Sequence, residues 1–146
     1  MVIADSTEPV GELSLAELEG QFRQAHRWLA RTSEQHELPV TGSALAADDD
    51  ATRPHPLSYI ALTALVAAVD HFHAAATLVS VGRVIHSNAL FTLLRAALEN
   101  ASTAVYLMGP GDAKTRILRA LRVTWSDMVD QLGLAEKLGV EPNVSC

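Results

Sequence analysis

Apolar residues recur at three- and four-residue steps in four separate stretches of this chain, the periodicity of helices that turn one face inward. The first begins at Ser14-Leu15-Ala16-Glu17, a capping box in which the Ser14 hydroxyl and the Glu17 carboxylate satisfy each other's free amides. From there Leu18, Phe22, Ala25 and Leu29 form a stripe, with Arg27, Arg31 and Glu34 off it, which predicts an amphipathic helix to about Ser33. The second runs from Leu57 to Val81 along Leu57, Ala61, Ala64, Ala68, Phe72, Ala75 and Val79, with Asp70 as its one formal charge. Its small seam residues allow a neighbouring helix to approach closely. The third follows Ser87-Asn88 along Leu90, Leu94, Ala97, Leu98, Ala101, Val105 and Met108, and stops at Gly109-Pro110-Gly111. Asp112 then caps a fourth helix, in which Ile117, Leu121, Trp125, Met128 and Leu132 form the cleanest amphipathic pattern in the sequence. Gly133 and Gly139 are its candidate ends.

Between the first and second helices, residues 36–56 hold Pro39, Gly42, the run Asp48-Asp49-Asp50, Pro54 and Pro56. Prolines remove backbone donors and disfavour helical geometry in the residue before them, so this stretch reads as a long loop with its three carboxylates solvated. The organisation expected is a flexible N-terminus over 1–13, one helical domain over 14–139 and a tail over 140–146. The fold class is all-α: a four-helix, bundle-like domain with an acidic N-terminal helix and a Pro-rich loop before the central hairpin.

Composition narrows this. The chain has 146 residues, enough for one real core. Aromatic residues are only 5% of it, so Leu, Ala and Val must fill that core, which favours close-packed helices over a sandwich. The net charge of −6 comes from the N-terminal third, where residues 1–50 hold three Arg against ten Asp or Glu. No broad basic field exists for a nucleic-acid backbone. Arg116, Arg119 and Arg122 step along the fourth helix, but Asp127 and Asp130 follow without interleaved aromatics, so they read as a solvated mixed-charge face. The uninterrupted apolar run before Asp70 is thirteen residues, short of the roughly twenty that cross a bilayer. With no secretory pattern at its start and a single Cys, the terminal Cys146, the sequence points to a cytoplasmic protein without disulfides. Nine Arg against two Lys, with abundant Ala, suggest a GC-rich genome.

The candidate chemistry lies in the polar groups of the two central helices. Asp70, His73, His86, Arg95, Glu99 and Asn100 sit in otherwise apolar sequence. An unpaired buried charge costs several kcal/mol, so these groups are expected to converge on one another in a buried or interface network. Arg95 and Glu99 are one turn apart and can pair. Asp70 and His73 share a face and could clamp a metal or orient an imidazole as a base, whereas His71 lies about 200° from His73 around a helix and cannot join them. A di-iron bundle needs more carboxylates and a second His motif than this chain supplies, so neither a metal nor another cofactor is expected. There is no Gly-x-Ser-x-Gly elbow and no Gly-rich phosphate loop.

The run from His86 to Ala101 with its Arg-Ala-Ala-Leu-Glu-Asn core, preceded by Asp70-His71-Phe72-His73 and followed by Gly109-Pro110, resembles a group of uncharacterised actinobacterial helical proteins over about residues 57–125. More distantly it is similar to HEPN-like helical domains, some of which are metal-independent ribonucleases built on an Arg-x4–6-His motif. The one such spacing here, Arg31 to His36, lies outside the resembling region. The expectation drawn from all this is a helical protein-interaction module acting as a homodimer or other homo-oligomer, with a protein partner possible. The alternative is an HEPN-like ribonuclease or metal-dependent hydrolase using the central cluster.

Overall fold

The computed structural model describes residues 15–32, 39–81 and 87–139, and every regular element among them is helical: α1 (Leu15–Thr32), α2 (Ala44–Ala51), α3 (Leu57–Ser80), α4 (Ser87–Met108) and α5 (Ala113–Leu138). The Ser14 cap, His36, Arg83, His86 and the two chain ends lie outside the described residues. The four expected helices form within a residue or two of their predicted bounds. Asp112 caps α5 as expected, its Oδ1 accepting the Thr115 amide at 2.8 Å. α5 runs through Gly133 and ends at Gly139, whose φ of 64° only glycine adopts without strain.

The fifth helix, α2, corrects the long-loop reading of residues 36–56. Ser43 caps it by accepting the Ala46 amide at 3.2 Å, and Ala44-Leu45-Ala46-Ala47 are strong helix formers immediately behind that cap. The prolines bound the helix without entering it.

α3 is the hub: each of the other four helices packs on it, α4 most extensively, while α1 touches no other helix among the described residues. The alanine seam explains this, because Ala61, Ala64, Ala68, Ala75 and Ala76 are all buried and present no bulk to hold a neighbour away. The tightest core lies near the N-terminal end of α3, where Leu57, Ala61, Leu107 and Ala120 pack together beneath Leu45, Ile60 and Val123. α3 is also, by length and composition alone, the one helix among the described residues long and apolar enough to cross a membrane.

Candidate functional site

Among the described residues, the expected polar convergence of the central helices does not occur within the chain. Asp70 is exposed. Arg95 donates from Nε to Glu99 Oε1 at 2.7 Å, but both side chains are about two-thirds exposed and the pair stays on its own helix. That bond raises Arg95 above its ordinary pKa, through the hydrogen bond first and the Glu99 charge second. Asn100 donates to the Ala96 carbonyl one turn back. His73 turns towards α1, where its Nε2 lies 2.9 Å from Nδ1 of His26 with the rings edge-on, and Trp28 and Phe72 meet beside them at 6.4 Å. His86 lies outside the described residues, and no group of three or more His, Cys, Asp or Glu able to hold a metal forms among those described. The physical reason is simple. Groups on a helix surface can reach water or satisfy an i,i+4 neighbour, so an apolar sequence around them does not force them inward.

The buried polar network sits elsewhere, on the aspartates read as solvated spacing. Asp48 is 2% exposed and accepts Arg116 Nε at 2.7 Å, tying α2 to α5. Asp49, also buried, accepts both the Ser58 amide at 2.8 Å and the Ser58 hydroxyl at 2.6 Å. Thr52 Oγ1 accepts the Leu57 amide and donates to the Asp48 carbonyl. Two of the free amides at the start of α3 are thus satisfied from α2 and its C-cap, a role Pro56 at the N-cap cannot fill. Only Asp50 of the three behaves as expected, pairing with Arg53 at the surface.

The arginine row of α5 is corrected in the same way. Arg116 also donates to the Gly111 carbonyl at 2.9 Å. Arg119 donates to the Gly109 carbonyl at 3.2 Å and lies over the Tyr106 ring, 5.2 Å from its centre. Two of the three arginines therefore clamp the α4–α5 turn, and Arg122 alone stays on an exposed face. The turn is tight: a Cβ on Gly109 would stand 2.7 Å from the Val105 carbonyl oxygen.

This body leaves two apolar stripes uncovered. On α5, Leu118, Leu121, Trp125, Met128 and Leu132 repeat at three, four, three and four residues, and all are exposed, Trp125 by 70%. Of the stripe read from the sequence, Leu121, Trp125, Met128 and Leu132 thus point away from the core, joined by Leu118, while Ile117 is half-buried and Ala120 and Val123 on the opposite side make the contacts with the body. On α4, Phe91, Leu94, Leu98, Val105 and Met108 are likewise exposed at steps of three, four and seven. Both spacings are the 3.5-residue seam by which one helix pairs with another. Between α1 and α4, over α3, lies an apolar groove of about 640 Å³ walled by Trp28, Leu65, Val69, Phe72, Leu94 and Leu98. A second groove of about 680 Å³, between the start of α3 and the middle of α5, is more polar, with Tyr59, Asn100, Thr103, Asp127 and Gln131 on its walls.

No protein family, curated protein or solved structure matches this chain.

Proposed function

We propose that this protein is a helical protein-interaction module that works by association with a second copy of itself. The observation that carries the reading is the pair of exposed apolar seams on α4 and α5, since contiguous apolar surface of this kind on a small domain marks a face meant to be covered. In this reading the protein is cytoplasmic and α3 is a core helix: the other four helices all pack on it, and the exposed Asp70 interrupts its apolar run. A hydrolytic reading gains no support from the geometry, because His73 pairs with His26 of α1 while Arg95 and Glu99 pair with each other on α4. Size-exclusion chromatography with light scattering tests the proposal. A mass twice the 15.6 kDa of the chain is expected, and a monomer at every concentration overturns it.

A further inference from the structure

We infer that the two copies pair through α5, antiparallel and about a two-fold axis, a statement that rests on the self-association proposed above and names its surface. With Trp125 set at zero and each residue advancing about 100°, Leu118, Leu121, Met128, Val129 and Leu132 all lie within about 60° of it. Arg116, Ala120 and Val123, which face the body, lie about 140–180° away. The seam therefore points directly outward, and two copies can meet along it with their bodies on opposite sides. Its steps of three and four, from Leu118 to Leu132, are those of interlocking a and d positions.

Charge decides the direction. On the seam side of α5 the charged residues are Lys114 and Arg122 in the N-terminal half and Glu136 in the C-terminal half. A parallel pair sets Glu136 beside the partner's Glu136 and Lys114 beside the partner's Lys114. An antiparallel pair that layers Met128 on the partner's Trp125, and Leu132 on the partner's Leu121, carries Glu136 to a level between the partner's Lys114 and the partner's Arg122. The helix dipoles then oppose each other as well. A two-fold contact of this kind closes at two copies instead of propagating. Six apolar side chains per copy, each more than two-fifths exposed, bring the contact to roughly the 1,000 Å² that a specific interface needs.

Cysteine cross-linking in a Cys146→Ser background tests both face and direction. Across an antiparallel pair the two Leu121 positions stand about 16 Å apart along the axis, eleven residues at about 1.5 Å each, so Leu121→Cys alone does not link to itself. Mixed with Leu132→Cys it gives a disulfide-linked dimer. Trp125→Asp, with helical circular dichroism unchanged, elutes as a monomer. Self-linking of Leu121→Cys overturns the antiparallel arrangement. A dimer that survives Trp125→Asp, or a wild-type dimer in which the mixture forms no link, overturns α5 as the surface and leaves self-association standing. A monomeric wild type overturns both.

Discussion

Two faces of α5 follow opposite rules. The inner face is held by charge in a place where charge is costly: Arg116 reaches an Asp48 that is 2% exposed, and Arg119 caps the turn and covers Tyr106. The outer face carries Trp125 and its apolar neighbours in the open. The polar side of this helix is bound to its own chain, through the Arg116–Asp48 pair and the Arg119 contacts, while its apolar side stays exposed among the described residues. Amphipathicity shows which side of a helix is apolar. It does not show whether the apolar partner belongs to the same molecule.

The contrast is most severely tested at the inner face. Arg116→Leu leaves Asp48 buried without its cation, and the expected loss is about 3 kcal/mol in urea unfolding, since removing one partner of a buried pair costs far more than the pair contributes. A loss under about 1 kcal/mol would mean that Asp48 finds water once Arg116 is gone. Gly109→Ala drives a methyl group into the Val105 carbonyl and is expected to cost about 1–3 kcal/mol, read the same way. Asp49→Ala frees the Ser58 amide and hydroxyl, for an expected loss of about 1–2 kcal/mol, with the first turn of α3 exchanging its amide protons faster.

At the exposed surfaces the same changes have small effects on the folded chain. Glu99→Ala breaks the Arg95 bond on a solvated helix face, and Tm is expected to stay within about 2 °C of wild type. Asp112 offers a test by pH. Hydrogen bonds from Thr115, side chain and then backbone, lower its pKa below the ordinary 3.8, with Arg116 adding a smaller pull in the same direction. A depressed carboxyl stabilises the fold above its unfolded-state value and loses that contribution as pH falls through its lower folded-state value. The thermal stability gap between wild type and Asp112→Ala is therefore expected to be full near neutrality and to narrow as pH drops below about 4. A gap independent of pH would place the effect in the backbone instead.

The helices were legible because their signals are local. Capping residues, glycine stops and apolar steps of three and four placed α1, α3, α4 and α5, and Asp112 was readable as a cap from its position alone. α2 was hidden by the prolines that flank it, although Ser43 followed by Ala-Leu-Ala-Ala carried a usable helix signal. The network of Asp48 and Asp49 was not legible, because Arg116 is distant in sequence and nothing local marks one aspartate of three as buried. The reverse error befell Asp70, Arg95 and Glu99: their apolar neighbours suggested burial, but Asp70 is exposed on α3 and α4 turns Arg95 and Glu99 to solvent, where an intrahelical pair suffices. Pairing depends on which faces of the helices meet, and that is set by the small residues of α3 rather than by the polar groups themselves.

Sedimentation velocity of wild type and Trp125→Asp over about a hundredfold range of concentration bears most directly on the claim that the outer face of α5 is an association surface. The wild type is predicted to shift from the 15.6 kDa species to one of twice that mass as concentration rises, while the variant stays at 15.6 kDa throughout. Identical sedimentation of the two proteins would contradict the account.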